Sequence, residues 1–170
     1  PLAGRPRDGR LAVLGNAGGT TAVQYARFWP TWRVDGVEID PAVSDLGYRY
    51  LGMGQARLAL HTADARPWLA ASTARFDGIV IDAYRQPYIP FQLVTREFFQ
   101  SVRDHLAPGG VAMINVGAPP GHDEALAAIA GTMAAVFPAV ELAPAGAFNT
   151  VVWAFRDADT AVGARTRLAQ

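Results

Sequence analysis

The chain has 170 residues, of which 51% are hydrophobic and 18% are charged, and its 15 basic and 15 acidic side chains cancel. This neutral balance gives no sign of a nucleic-acid or membrane partner, and the absence of cysteine excludes disulfides and thiolate metal sites. The composition predicts one cytoplasmic α/β domain that binds small molecules and no metal, since the three histidines share no ligand spacing.

The chain divides into three parts. Residues 1–10 are rich in Pro, Gly and Arg, and because the first residue is Pro1 we expect them to be the end of a missing N-terminal segment. Residues 11–156 form the predicted domain, and residues 157–170 form a polar C-terminal tail.

The domain opens with an apolar strand at residues 11–14, a Gly-rich turn and a helix at residues 20–28. The turn consists of Gly15, Asn16, Ala17, Gly18 and Gly19. Residues without bulk let backbone N–H groups approach a ligand, and the helix N-terminus behind them favours an electron-rich group. The turn is therefore a candidate cofactor-binding segment, although such a turn can also serve only to close a loop.

A second apolar strand at residues 34–39 carries Glu38 near its end, 23 positions after Gly15. In nucleotide-binding βαβ units an acidic residue about 20 positions past the glycines accepts hydrogen bonds from ribose hydroxyls. Glu38 fits that place. The alternative is that Glu38 and Asp40 cap the helix predicted at residues 41–50.

The third predicted strand, residues 57–62, is followed by Asp64 at the same end of the sheet. In open parallel sheets ligands bind at the carboxyl ends of the strands, so Asp64 is a candidate acceptor for the amino group of adenine. It is equally suited to be the N-cap of a helix at residues 65–72, and the two roles are compatible.

The fourth predicted strand, residues 79–81, ends in Asp82. A charge at the end of an apolar strand is costly unless it has a partner or a chemical task. Residues 83–92 contain two tyrosines and two prolines, which makes this loop a candidate wall of a ligand pocket or a loop packed only for stability.

The remaining elements follow the same alternation. Helices are predicted at residues 96–106 and 123–137 and strands at 111–116, 140–142 and 150–155, with Pro108 to Gly110 ending the first of these helices. The predicted fold is α/β, with a doubly wound Rossmann-like sheet of seven strands whose last strand is antiparallel.

Five segments, in this order, carry a resemblance to a known family. They are residues 13–22, 37–41, 63–66, 76–84 and 106–111. Together they resemble the S-adenosylmethionine-dependent methyltransferase fold (class I), and within it the spermidine synthase-like (polyamine aminopropyltransferase) branch. The most telling part is Asp82-Ala-Tyr84 followed by residues 89–98.

The resemblance implies a site for S-adenosylmethionine or its decarboxylated form, used as co-substrate. The turn residues would surround its nucleoside and amino-acid portion, Glu38 with Ile39 would hold the ribose, and Asp64 with Ala65 would contact adenine. Asp82, next to the cofactor, would orient or deprotonate the attacking amine. Tyr84 would assist it. The implied substrate-binding residues are Tyr84, Arg85, Gln86 and Tyr88.

Two departures from that branch stand out, and a third, at Ala17, is milder. The aminopropyltransferases have a second Asp three residues after the first, for the far ammonium of the diamine, where this chain has Arg85. A cation there would repel a diamine. The family also has an N-terminal β-hairpin domain, which we expect to lie outside this sequence, and Ala17 replaces the usual Gly of the turn.

Three functions remain open. The first is aminopropyl transfer from decarboxylated S-adenosylmethionine to an amine such as putrescine. The second is methyl transfer from S-adenosylmethionine to a small molecule, with Arg85 facing an anionic substrate and Asp82 or Tyr84 orienting the nucleophile. The third is a catalytically silent, nucleoside-binding homologue. The assembly that we consider is a homodimer.

Overall fold

A computed structural model describes residues 8–55, 57–85, 88–117, 119 and 121–161. The strands are β1 (Arg10–Leu14), β2 (Arg33–Glu38), β3 (Leu58–Thr62), β4 (Phe76–Ile81), β5 (Leu106–Gly117), β6 (Ala139–Pro144) and β7 (Asn149–Phe155). The helices are α1 (Thr20–Phe28), α2 (Pro41–Tyr50), α3 (Ala65–Ala71), α4 (Arg96–His105) and α5 (Glu124–Ala134). None of the described helices is long and apolar enough to cross a bilayer.

The strands form one seven-stranded sheet in the order β3-β2-β1-β4-β5-β7-β6. The first five strands are parallel, whereas β7 lies antiparallel between β5 and β6. The predicted doubly wound sheet with an antiparallel last strand is thereby confirmed. Strand order reverses between β1 and β4, and a crevice opens at such a switch point, outside the carboxyl ends of the strands.

The central strand β1 is buried on both faces of the sheet. Ala12 and Leu14 pack into the core beneath α3, α4 and α5, while Leu11 and Val13 pack into the core on the α1 side. Successive side chains of a strand point to opposite faces, so the continuous apolar run of β1 serves two cores at once. This packing fixes the end of β1, where the predicted turn begins.

The start of β5 and the end of α5 differ from the predictions. Helix α4 ends at His105, and β5 begins at once, so Pro108 to Gly110 lie inside the strand. They form a bulge, because the pairing passes from Phe76 with Leu106 to Gly78 with Val111. Helix α5 ends at Ala134, three residues earlier than predicted.

The predicted end segments lie mostly outside the described residues. This holds for residues 1–7 of the lead-in and for residues 162–170 of the tail. The domain boundaries therefore stay predictions.

A partly buried ion cluster links the three strands on one side of the switch point. Asp35 of β2 is 4% exposed, and its two carboxylate oxygens accept from Arg10 Nε of β1 at 2.7 Å and contact His61 Nε2 of β3 at 3.0 Å. Burial by itself raises the pKa of Asp35, but the hydrogen bonds and charges of Arg10 and His61 outweigh it and hold that pKa below its ordinary value. The cluster holds β1, β2 and β3 in register.

Candidate active site

A cleft of about 1020 Å³ lies at the carboxyl ends of the parallel strands. Its size is at the upper end of the range for small-molecule sites. The predicted site residues that line it are Gly15, Ala17, Glu38, Ile39, Asp64, Ala65, Asp82, Tyr84, Arg85 and Tyr88. Most of the residues predicted from separate segments of the sequence therefore meet in one cavity.

Gly15 forms the floor of the cleft between β1 and β4. Its φ is 89°, and an added Cβ would lie 2.6 Å from the backbone of Ala83 and from the carbonyl oxygen of Asp82. The N–H groups of Gly15 and Asn16 both donate to Val37 O at 2.9 Å. Glycine is thus required here by the close approach of two strand ends.

The other part of the turn is packed beneath the cleft. Asn16 is 4% exposed, and its Nδ2 contacts the Met53 sulfur at 3.3 Å, while an added Cβ on Gly19 would lie 2.5 Å from that same side chain. An added Cβ on Gly18 would lie 2.3 Å from Leu51. For Asn16, Gly18 and Gly19 the visible role is packing, and their contact with a cofactor stays a prediction.

Glu38 ties the end of β2 to the Gly-rich turn. Its Oε2 accepts from the N–H of Ala17 at 2.8 Å and its Oε1 accepts from the N–H of Asp40 at 3.1 Å. Carboxylate oxygens have further lone pairs, so Glu38 can still accept from ligand hydroxyls. Asp40 is the residue that caps α2, because its Oδ1 accepts from the N–H of Ala42 at 2.8 Å.

Ala17 has a left-handed backbone conformation with φ 46°, which is uncommon for a residue with a side chain. Such a conformation costs free energy and persists where surrounding contacts hold it. The hydrogen bond to Glu38 is one such contact.

Asp64 lies at the end of β3 and caps α3. Its Oδ1 accepts from the N–H of Arg66 at 2.9 Å, and the residue also lines the cleft beside the buried Ala65. The two predicted roles are therefore compatible in the structure, the cap being observed. Arg66 Nη1 donates to Gln92 O at 2.7 Å and contacts Thr95 Oγ1 at 3.2 Å, which fixes the far wall of the cleft.

Asp82 projects from the end of β4 and is exposed. Its backbone N–H donates to Leu14 O at 2.9 Å, and its Oδ1 accepts from Asn115 Nδ2 at 3.2 Å. Asn115 was not among the predicted site residues. The signal for it is a polar side chain near the end of an otherwise apolar strand that pairs with β4.

Tyr84 is bonded to the same strand. Its hydroxyl donates to Asn115 O at 2.9 Å and accepts from the N–H of Gly117 at 3.0 Å. Burial raises the pKa of Tyr84, the N–H of Gly117 acts in the opposite direction, and the charge of Asp82 raises that pKa further. The raised pKa keeps the hydroxyl protonated, and its two hydrogen bonds tie the loop to β5. The catalytic roles of Asp82 and Tyr84 stay predictions.

Arg85 and Tyr88 form a two-residue bridge that shapes the loop. The N–H of Arg85 donates to Tyr88 O at 2.8 Å, and the N–H of Tyr88 donates to Arg85 O at 3.0 Å. Both side chains are exposed at the edge of the cleft. Gln86, the remaining predicted substrate-binding residue, lies outside the described residues.

Two histidines have structural partners. His61 belongs to the ion cluster with Asp35, and His105 contacts the carbonyl oxygens of Ser101 and Ser72. Over the described part of the chain, no three His, Cys, Asp or Glu side chains come together as a metal site requires.

Comparison with known families identifies the family to which this chain belongs. A sequence profile of the spermine/spermidine synthase domain matches residues 1–156, which is most of the chain. The chain belongs to the spermine/spermidine synthase domain family. The predicted resemblance is confirmed.

The family relationship extends to individual proteins. A probable polyamine aminopropyl transferase of Bifidobacterium longum is 40% identical over 126 residues, covering 74% of this chain and 28% of the relative. A probable spermidine synthase from Corynebacterium glutamicum superposes with a TM-score of 0.78 at 25% identity, over 89% of this chain and 57% of the other. This spermine/spermidine synthase domain thus spans little more than a quarter of the length of its Bifidobacterium relative.

The fold is also that of a methyltransferase. Human methyltransferase-like protein 13, in complex with SAH, superposes with a TM-score of 0.77 at 24% identity, over 86% of this chain and 71% of the other. At that identity the likeness shows the shared fold.

Proposed function

We propose that this domain transfers an aminopropyl group from decarboxylated S-adenosylmethionine to an amine acceptor. The observation that carries the proposal is the position of Asp82. It places an exposed carboxylate at the end of β4, inside the cleft and beside the Gly15 floor, in a chain of this family.

The proposed reaction needs little covalent chemistry from the protein. The acceptor nitrogen forms a bond to the propyl carbon next to the sulfonium, the carbon–sulfur bond breaks, and its electron pair stays on sulfur as methylthioadenosine leaves. The nitrogen loses a proton, which Asp82 accepts. A positioned general base contributes about 10²- to 10⁴-fold, and correct placement of the two reactants contributes further.

The nucleoside is proposed to lie along the ends of β1, β2 and β3. Glu38 would accept from the ribose hydroxyls with lone pairs left free by its two backbone bonds, beside Ile39. Asp64 would accept from the adenine amino group, and Ala65 is small enough to leave room for the base. A cytoplasmic location and a homodimer stay predictions.

Methyl transfer from S-adenosylmethionine is the second candidate. The observation that favours it is Arg85, a cation at the edge of the cleft that suits an anionic substrate better than a diamine. In that reaction Asp82 would orient the nucleophile in the same place.

The test separates the candidates by their products. The purified protein is incubated with S-adenosylmethionine or its decarboxylated form and a panel of amines, and the products are identified by mass spectrometry. An aminopropyl adduct with methylthioadenosine supports the proposal, and a methyl adduct supports the second candidate. Calorimetry with both compounds and methylthioadenosine completes the test, because binding without product indicates a silent homologue and no binding at all rejects the site.

A further inference from the structure

We propose that Arg85 makes the cleft selective for an acceptor that carries a carboxylate as well as the reacting amine, that is, for an ω-amino acid rather than a diamine. This inference rests on the proposed function only in treating the cleft as an acceptor site. It holds for aminopropyl or methyl transfer, since either group would reach the same nitrogen beside Asp82.

The first observation is the fixed backbone of Arg85. Two backbone hydrogen bonds to Tyr88, of 2.8 and 3.0 Å, hold its main chain three residues beyond Asp82. The side chain lines the cleft and is exposed. Within the part of the chain that the structure describes, its guanidinium forms no ion pair.

The second observation concerns the carboxylates of the cleft. Glu38 and Asp64 lie at the ends of β2 and β3, where the nucleoside is proposed to lie, whereas Asp82 follows β4. Asp82 is the group needed at the reacting amine. The described lining residues after Asp82 include no further carboxylate, so a second ammonium on that side would face Arg85.

The third observation is the count of positive charges along the cleft. Among its described lining residues Arg85 is the one cation beside three acidic residues, so the site offers a single positive charge, which matches one substrate carboxylate. A guanidinium binds a carboxylate through two parallel hydrogen bonds, which gives orientation as well as attraction.

The wall next to Arg85 suits a hydrocarbon spacer. Ile89, Pro90, Phe91 and Leu93 line the cleft on that side, and Phe91 is 80% exposed. Apolar side chains gain free energy by covering methylene groups. The lining thus presents a carboxylate for the amine, a cation and an apolar surface in one cleft.

A matched pair of ligands tests the inference. Putrescine and δ-aminovalerate have the same chain of methylene groups and differ only in whether the far end is an ammonium or a carboxylate. Their binding is measured by calorimetry on the purified protein with methylthioadenosine present, so that the result does not depend on turnover. The variants are Arg85→Gln, Arg85→Asp and the control Arg75→Gln, an exposed arginine before β4 at the opposite end of the sheet.

We expect the wild-type protein to bind δ-aminovalerate about tenfold more tightly than putrescine, because exchanging one partner charge replaces attraction with repulsion at a partly exposed site. Arg85→Gln should abolish the preference, Arg85→Asp should reverse it, and Arg75→Gln should leave it unchanged. Tighter binding of putrescine by the wild type, an unchanged preference in Arg85→Gln, or no binding of either ligand would overturn the inference.

The transferase proposal and the carboxylate-site inference can fail separately. If δ-aminovalerate is preferred but no transfer product forms, the transferase proposal fails and the carboxylate site stands. If putrescine is preferred and becomes aminopropylated, the transferase proposal stands and the carboxylate site fails.

Discussion

The two ends of the cleft are built in different ways. The proposed nucleoside end, formed by the strand ends at Gly15, Glu38 and Asp64, is held by backbone amides, a close strand contact and a helix cap. The proposed acceptor end, formed by the described residues 82–85 and 88–93, presents exposed side chains such as Arg85 and Tyr88. The difference teaches that one end is specified by backbone geometry and the other by side-chain identity.

This contrast predicts where each substitution acts. Changes at the nucleoside end should alter the free energy of unfolding, whereas changes at the acceptor end should alter turnover and leave stability nearly constant. A substitution at one end that changes both turnover and the free energy of unfolding would show that the two ends are coupled.

The largest expected effect is on turnover at the acceptor end. Asp82→Asn should lower kcat about a thousandfold, because it removes the proposed general base, while the exposed side chain contributes less than about 0.5 kcal/mol to stability. Transfer kinetics and urea unfolding measure the two quantities. The control is Asp45→Asn, an exposed carboxylate on α2 paired with Arg49. Retention of most activity would remove Asp82 from the mechanism.

The next effect is on stability at the nucleoside end. Gly15→Ala should lower the free energy of unfolding by about 3 kcal/mol, since alanine is strained at φ 89° and its Cβ meets the backbone of Ala83. Gly131→Ala in α5 is the matched control, because nothing lies within 4 Å of that position. There alanine should stabilise the helix by about 0.5 to 1 kcal/mol. Equal effects at the two sites would contradict the assigned contact.

The ion cluster of Asp35, Arg10 and His61 gives a pH-dependent prediction. Asp35→Asn should cost about 2 kcal/mol near neutral pH, because Arg10 and His61 lose a charged partner. The folded-state pKa of Asp35 is lowered, so its contribution is present above the unfolded-state pKa of about 3.9 and is lost as pH falls through the folded-state value.

The difference in stability between the wild type and Asp35→Asn should therefore shrink as pH falls below about 4. Urea unfolding at a series of pH values measures it. Asp104→Asn, an exposed residue of α4, serves as control. A difference that is constant over the whole pH range would show that the ion cluster acts by packing alone.

A smaller effect is expected where β5 supports the acceptor end. Asn115→Ala should lower kcat about fivefold, a loss of about 1 kcal/mol, because the Asp82 carboxylate loses the donor that orients it. Asn115→Asp should be worse, since it places a second negative charge there. Nucleoside affinity, measured by calorimetry, should not change. A weaker affinity would mean that Asn115 supports the whole cleft.

The smallest effect is a gain in stability at the nucleoside end. Ala17→Gly should raise the free energy of unfolding by about 0.5 kcal/mol, because relief of the left-handed strain exceeds the added chain entropy of glycine. Ala42→Gly in the first turn of α2 should have the opposite sign. Thermal unfolding measures both. A loss of stability in Ala17→Gly would indicate that the side chain packs favourably.

Much of the fold followed from local sequence signals. The apolar runs and the cap candidates Asp40 and Asp64 predicted β1, α2 and α3 closely, since capping and burial act over a few residues. The start of β5 did not follow, because Pro108 to Gly110 normally end an element. Pairing with β4 instead keeps them in the strand as a bulge.

The convergence of residues on the cleft was predictable where charge ended a strand, as at Glu38, Asp64 and Asp82. The Gly-rich turn shows the limit of such reasoning. A glycine in the sequence indicates that another group approaches the backbone closely, but it does not identify that group. The fold shows that Gly18 faces Leu51 and that Gly19 faces Met53. Asn115 was missed for a similar reason, since one polar residue in an apolar strand acquires meaning only from its neighbour across the sheet.

The position of β7 has a consequence for synthesis on the ribosome. Strand β6 precedes β7 in the chain yet joins the sheet only through it, and β5 keeps a free edge until residues 149–155 have emerged. The nascent domain therefore exposes an unpaired strand edge late in translation, a state prone to pairing with other chains. The sheet is complete once the β6–β7 hairpin has paired with β5.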